Sequence, residues 1–283
     1  MKYFITGADG VLAHYFRNDE RYDNHIAFRH NELDIGDADS VEHLIKLHSP
    51  DVVINCAAYA NPIQCESNPV RAEVANAIGV MNLAESCKNH NALLVHFSTN
   101  CVFDALSESK HDELAEVNTH SVYGMTKSAG ESALIEGMDE YLILRISWVF
   151  GLRGRSFISR ISEFLQAKPM LSINDEQIGK ATYAVDIVNA VSMLMKHKKR
   201  GLYHFANKGE VTRCGIAEFV NERIGANSVI TPVNSDYFDE PIRHPKRSIL
   251  NTDKYEKEVG QIRTWQEAYL EYIKETNQEK DKV

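Results

Sequence analysis

Tyr123 and Lys127, in the run Tyr123-Gly124-Met125-Thr126-Lys127, are a pair that could move a proton. On a helix, residues four apart leave the same face. A phenol near pKa 10 is a poor acid or base at neutral pH, and a nearby ammonium stabilises the phenolate and brings it toward a working range. In a chain with 12 tyrosines the spacing alone is weak, and an exposed helical pair explains it as well. A second cluster is Gly7-Ala8-Asp9-Gly10-Val11-Leu12-Ala13, directly after the apolar run Tyr3–Thr6. A glycine turn between a strand and a helix is the setting in which a dinucleotide pyrophosphate meets backbone amides. Gly7 would make the tight turn, Gly10 the close approach, and Ala13 the helix-to-sheet contact. The third glycine is missing, so a plain strand-to-helix turn fits this run equally.

Short β-branched runs alternate with helical periods through the first half, the pattern of βαβ units in a parallel sheet. Strands are expected at Tyr3–Thr6, 25–29, 52–58, 93–98 and 141–147. A helix opens at Val11. Ser40 caps another, with Val41, Leu44, Ile45 and Leu47 at helical spacing. A third helix is expected over 70–88, with Val74, Ile78, Met81 and Leu83 on its apolar side, and a fourth over 123–135. The polar stretch 104–121 is long for a connector and reads as a candidate active-site loop. After Gly151 the order loosens into helices at 157–165, 186–196, 216–224 and 265–273 and strands at 171–173 and 202–205, with a charged, frayed end at 277–283. The fold class is α/β: a Rossmann-like, doubly wound parallel sheet with a smaller mixed α/β lobe. In such sheets ligands bind outside the carboxyl ends of the strands, so the glycine turn, Ser98-Thr99 and the Tyr-Lys pair converge on one crevice.

Composition excludes other classes. With 31 Lys plus Arg against 40 Asp plus Glu, the chain has a formal net charge of -9 and offers no broad basic face to nucleic acid. Five cysteines, at 56, 65, 87, 101 and 214, include no CxxC pair, and the 12 histidines show no HxH or HExxH spacing, so no metal site is expected. The apolar tracts 52–58 and 141–150 are broken by Asn55 and Arg145 and fall short of the roughly 20 residues that span a bilayer. The start reads as no signal peptide. A cytoplasmic protein with reduced thiols and no membrane partner is expected.

In its ordered motifs the chain resembles the dTDP-4-dehydrorhamnose reductase family of extended short-chain dehydrogenases/reductases. The resemblance is carried by Ile5-Thr6-Gly7, Leu33-Asp34-Ile35, Pro50-Asp51-Val52-Val53-Ile54-Asn55 with Ala57-Ala58-Tyr59, and Asn76 with Gly79 and Asn82-Leu83-Ala84. It continues through Val102-Phe103-Asp104, Val122-Tyr123-Gly124, Lys127, Gly130-Glu131, Leu144-Arg145, Ser147-Trp148-Val149, Gln177-Ile178-Gly179, Thr182 and Asp186, to Ser248 and Leu250. The resemblance implies hydride transfer from NAD(P)H to the C4 carbonyl of a nucleotide-linked 6-deoxyhexose, most simply dTDP-4-dehydro-L-rhamnose, for surface polysaccharide synthesis. Tyr123 would donate the proton, Lys127 would lower its pKa and bind the nicotinamide ribose, and Thr99 would hold the carbonyl oxygen. Gly7, Gly10, Val11, Leu12, Arg29, Asp34, Ile35, Ala57, Ala58, Tyr59 and Lys127 would contact the cofactor; Thr99, Asn100, Tyr123 and Trp148 would contact the substrate. Core packing is the competing role for Trp148, and for Tyr59 and Tyr183 beside the cleft. A dinucleotide-binding domain over 1–148, with returns near 183–206, would precede a sugar-nucleotide lobe over 149–283.

Phe28-Arg29-His30 ends the second strand with no acid before Glu32, which favours NADPH over NADH through Arg29, with NADH left open. A Mg²⁺ requirement and a homodimer are also left open. Asn100-Cys101 stands where this family has Asp-Tyr, Ala181 where proline is usual, and His244-Pro245 where Arg-Pro is usual. These departures keep alive a non-catalytic NADP-binding regulatory subunit, and a related reductase or epimerase with another product. A dehydratase needs an Asp-Glu pair after the threonine, which Asn100-Cys101 does not supply.

Overall fold

The computed structural model describes residues 1–103, 110–238 and 246–281. Five strands, β1 (Tyr3–Thr6), β2 (His25–Phe28), β3 (Val52–Asn55), β4 (Leu93–Thr99) and β5 (Tyr141–Ile146), build a parallel sheet with a sixth, Gly201–His204. The order is Gly201–His204, β5, β4, β3, β1, β2, so the chain winds outward in both directions from the centre. β3 and β4 are buried along their whole length, as strands covered on both faces must be. The chain is an α/β, Rossmann-like fold of the doubly wound type.

One apolar cluster fills one side of the sheet and continues from Tyr3 and Phe16 through Phe150 and Ile187 to Tyr272, so the sheet and the C-terminal elements share a core. A second cluster, with Phe4, Ile45, Leu83 and Leu134, fills the other side. The C-terminal helix Trp265–Lys280 starts with a capping box between Thr264 and Glu267. Glu275 on it accepts hydrogen bonds from the buried Tyr15 and Tyr183 hydroxyls, each at 2.6 Å. This helix runs to Lys280, past the point where the charged tail reads as frayed; the tyrosine-to-carboxylate bonds give its last turns a tertiary anchor.

The stretch expected as one helix over 70–88 is three pieces: Pro69–Glu73, a π-helical turn at Val74–Ile78, and Gly79–Asn89. A π turn takes an extra residue and rotates everything after it. Val80, Leu83, Ala84 and Cys87 therefore face the core, while Ile78 and Met81 are exposed. Asp37, not Ser40, caps the helix Ala38–His48, and Leu47 points to solvent. The smaller lobe pairs Met170–Asn174 with Val229–Val233, Ile178–Gly179 with Val211–Thr212, and Val149–Phe150 with Thr182–Tyr183.

Within the stretch 104–121, residues 104–109 lie outside the described residues. The remainder is tied down, with the His111 amide donating to the Ile249 carbonyl at 2.9 Å and its ring stacked on Phe103.

Candidate active site

Gly7 occupies the turn after β1 at φ +64°, a left-handed conformation that favours glycine. A Cβ there would lie 2.7 Å from the Ala57 nitrogen, so the turn also needs glycine for space. Gly10 caps the following helix, Val11–Arg17, without a side chain. Around this turn opens a cavity of about 310 Å³, lined by Gly7, Gly10, Asp34, Ile35, Ala57, Ala58 and Tyr59 among the expected cofactor residues. Its walls also include Asp9, His30, Leu33, Cys56, Arg71 and Ala75. Of the other expected contacts, Val11 and Leu12 pack against the larger core, and Arg29 is exposed with Nε 3.3 Å from the Asp9 carboxylate. Arg71 lies over the Tyr59 ring at 5.0 Å, which identifies one tyrosine face with the cavity wall.

Thr99 ends β4 and caps the short turn Asn100–Val102, its hydroxyl accepting from the Cys101 amide at 3.1 Å. Tyr123 and Lys127 lie on the helix Val122–Gly137, which Ser121 caps at the Gly124 amide. The two pieces are pressed together: a Cβ on Gly124 would fall 2.3 Å from the Cys101 carbonyl. On the far side, a Cβ on Gly130 would fall 2.2 Å from the Asn76 carbonyl in the π turn. The Asn76 side chain accepts from the Tyr59 amide at 2.9 Å and donates to the Tyr59 carbonyl at 3.1 Å and to the Thr126 hydroxyl at 3.2 Å. One buried amide thus fixes the cavity wall to the helix that carries Tyr123 and Lys127.

Lys127 is 2 % exposed. Its Nζ donates to the Phe97 carbonyl at 2.7 Å and lies 3.1 Å from His96 Nε2. Behind the imidazole, Asn55 Nδ2 is 3.0 Å from His96 Nδ1, and Asn55 Oδ1 receives the Thr6 hydroxyl at 2.6 Å and the Ala57 amide at 3.2 Å. Burial pulls the lysine down to about 8, with Glu131 opposing, and pushes His96 well below the usual histidine range. Glu131 is clamped by Arg145 at 2.6 Å inside the same interface. The phenol of Tyr123 is pushed up by burial first and then by Cys101, and the Thr99 hydroxyl pulls the other way. Lys127 is not among the groups acting on it. The expectation that the ammonium lowers the phenol is therefore not met within the protein alone, because burial pulls the lysine below the phenol and the amine has lost its charge before the phenol titrates.

Asn100 is buried, and its amide donates to the Ser248 carbonyl at 3.3 Å while the Ser248 hydroxyl donates back to the Asn100 carbonyl at 2.8 Å. Its polar atoms tie β4 to the smaller lobe. Ala181 is fully buried in the larger core. His244 lies outside the described residues. Trp148 takes φ +42°, rare for a bulky side chain, and a Cβ on Gly179 would be 2.5 Å from its indole. The glycine of Gln177-Ile178-Gly179 exists to let that ring lie flat. Tyr183 is a core residue, as its bond to Glu275 requires.

Sequence reasoning missed Asn55, His96 and Asn76 as site residues. The available signal was a polar side chain inside an apolar run, as in Val52-Val53-Ile54-Asn55 and Leu93-Leu94-Val95-His96-Phe97. Among the described residues no group of three His, Cys, Asp or Glu side chains could hold a metal ion, and no helix is long and apolar enough to cross a membrane.

A glycine turn at the first strand, a threonine at the end of the fourth and a Tyr-x-x-x-Lys helix beside them are the features of an extended short-chain dehydrogenase/reductase, the superfamily to which the matching family model and relatives assign the chain. The model of the family described as "RmlD substrate binding domain" matches residues 1–278. The chain belongs to the dTDP-4-dehydrorhamnose reductase family. It is 31% identical over 273 residues to the dTDP-4-keto-6-deoxy-D-glucose reductase of Streptomyces niveus, covering 94% of each chain. It is 31% identical over 279 residues to the dTDP-4-dehydrorhamnose reductase of Mycolicibacterium smegmatis, covering 95% of this chain and 84% of that one. Among solved structures, a dTDP-4-dehydrorhamnose reductase from Clostridium acetobutylicum superposes with a TM-score of 0.94 at 31% identity, covering 98% of this chain and all (100%) of the other. The Bacillus anthracis enzyme in complex with NADP gives 0.93 at 29% identity, covering 97% and 100%.

A lysine whose folded pKa is depressed costs stability while it is charged. Between pH 8 and 10.5 the unfolded chain binds the extra proton, so folding is favoured increasingly as pH rises through that window. The cost below it is on the order of 3 kcal/mol before hydrogen bonds are counted. Lys127→Met is expected to unfold at or above the wild-type urea midpoint at pH 7, and the wild type is expected to gain on it as the pH approaches 10.

Proposed function

We propose that this chain reduces the C4 carbonyl of a nucleotide-linked 4-keto-6-deoxyhexose with NADPH, and that dTDP-4-dehydro-L-rhamnose is the substrate, giving dTDP-L-rhamnose. The observation that carries the reading is the packing of the Thr99 turn directly on the start of the Tyr123–Lys127 helix, a helix bonded through Asn76 to Tyr59 in the wall of the glycine-turn cavity. The cavity has the lining that part of a dinucleotide calls for: Gly7 lets the turn lie against the Ala57 backbone, and Gly10 leaves the start of the helix open to an anion. Reduced nicotinamide supplies the hydride when bound.

Tyr123 then gives its proton to the alkoxide that forms at C4. A phenol held high by burial arrives fully protonated, which suits a general acid. Thr99, the one neighbouring group that favours the phenolate, orients the carbonyl oxygen beside it and steadies the tyrosinate after transfer. Lys127 supplies a donor at the seam behind them, and Trp148, laid on Gly179, offers a flat wall to the sugar nucleotide. Asp9 lines the cavity and holds Arg29 at 3.3 Å, and Arg29 would receive a 2′-phosphate once released from that carboxylate.

Three outcomes test this. Tyr123→Phe is expected to lower keto-sugar-dependent NADPH oxidation by about 10²-fold or more, the usual loss of a general acid; equal rates would remove Tyr123 from that role. Arg29→Ala should raise the KM for NADPH about tenfold and leave that for NADH unchanged. Gly179→Ala should tilt the indole and raise the sugar-nucleotide KM about tenfold, with a smaller change in kcat.

A further inference from the structure

We propose that Asn55 and His96 are positioning residues whose fixed hydrogen-bond direction, started by the Ala57 amide at the cavity wall, makes Lys127 a lysine that readily gives up its proton. The argument is a count of hydrogens. The Ala57 N–H can only donate, and it lies 3.2 Å from both Thr6 Oγ1 and Asn55 Oδ1. The Thr6 hydroxyl also points at that Asn55 atom, at 2.6 Å. With the amide oxygen on that side both the Ala57 N–H and the Thr6 hydroxyl find an acceptor, whereas an NH₂ there would face the Ala57 N–H and take away the acceptor of the Thr6 proton, so the geometry favours the Asn55 NH₂ facing His96 Nδ1 at 3.0 Å and donating to it.

His96 is wholly buried, and burial together with Lys127 keeps it neutral, so it carries one proton. With Nδ1 accepting, that proton sits on Nε2, which faces Lys127 Nζ at 3.1 Å. An amine accepts that N–H through its lone pair while donating to the Phe97 carbonyl. An ammonium has no lone pair, so its presence sets two N–H donors against each other, either at Lys127 or, after a tautomer change, at Asn55. The amine state has no such conflict. Burial acts in the same direction.

The other groups around the amine do not cancel this. Glu131, one turn along the same helix, favours the ammonium, but from β5 Arg145 holds both its oxygens at 2.6–3.2 Å. His204, against Arg145, is itself held neutral by burial, down to about 3. Tyr123, one turn back, and Cys101, on the turn after β4, are both kept uncharged by burial. The device therefore couples the backbone of the cavity wall to the charge of the lysine. Its bearing on turnover rests on the role given to Lys127 above, while the tautomer itself does not.

Long-range ¹H–¹⁵N correlation on histidine-labelled protein reads the tautomer, and ¹³Cε-labelled lysine reads the titration. The wild type is expected to show His96 protonated on Nε2, with Lys127 titrating near 8. In Asn55→Asp a carboxylate accepts from both sides, so His96 should move its proton to Nδ1 and Lys127 should titrate at least about one pH unit higher. The Lys127-dependent limb of the kcat–pH profile should move with it. A wild-type His96 protonated on Nδ1 overturns the proposal, even if the variant does not fold. So does a folded Asn55→Asp in which the tautomer is unchanged, since charge alone would then explain any shift. Loss of activity with the expected tautomers and titrations would instead count against the catalytic reading of Lys127.

Discussion

A lysine amine buried between a parallel sheet and a helix is the constraint to which the rest of this site answers. Lys127 can be placed there only because the Phe97 carbonyl, at a point where β4 has passed its last pairing with β3, is turned to receive it at 2.7 Å, with an imidazole at its other side. An unpartnered ammonium in that position would cost several kcal/mol. The interior therefore has to supply polar partners at fixed positions, and it does so through side chains of consecutive sheet neighbours: Thr6 from β1, Asn55 from β3 and His96 from β4. The chain of bonds runs across the sheet at right angles to the strands. It would be broken by a slip of one residue in either of the two pairings, which makes register part of how the lysine is held.

Close backbone approach is the second requirement. Gly7 meets Ala57, Gly124 meets the Cys101 carbonyl, Gly130 meets the Asn76 carbonyl and Gly179 meets the Trp148 indole. Each removes a Cβ where two elements must touch for the cavity, the threonine turn and the tyrosine helix to share one region. The π turn at Val74–Ile78 belongs to the same design, since it carries Asn76 to the Tyr59 backbone and to Thr126 at once.

The C-terminal elements share the larger apolar core with the sheet and are tied to this centre by specific bonds as well. Asn100 and Ser248 exchange two hydrogen bonds, and the His111 amide donates to the Ile249 carbonyl at 2.9 Å while its carbonyl accepts from the Asn251 amide at 2.7 Å. An asparagine at position 100 thus has a structural occupation that an aspartate, lacking the N–H to give Ser248, would not fill. Asn100 is in this respect a residue that holds the Ser248 segment to the end of β4.

The sequence alone determined the strands and their order along the chain, because two-sided burial forces apolar runs such as residues 52–54, and it placed the glycine turn and the Tyr-x-x-x-Lys helix beside a threonine. It also carried the family, since those motifs recur in fixed order. Within the helix expected over 70–88 the faces beyond residue 74 were not legible, because an i→i+5 turn leaves no mark in the spacing of apolar residues. The downward pull on Lys127, its absence from the influences on Tyr123, and the occupation of Asn100 by Ser248 were decided only in the tertiary structure. Hydrogen-bond direction and desolvation depend on which atoms from distant segments lie within 3 Å of one another, and local propensity does not encode that distance.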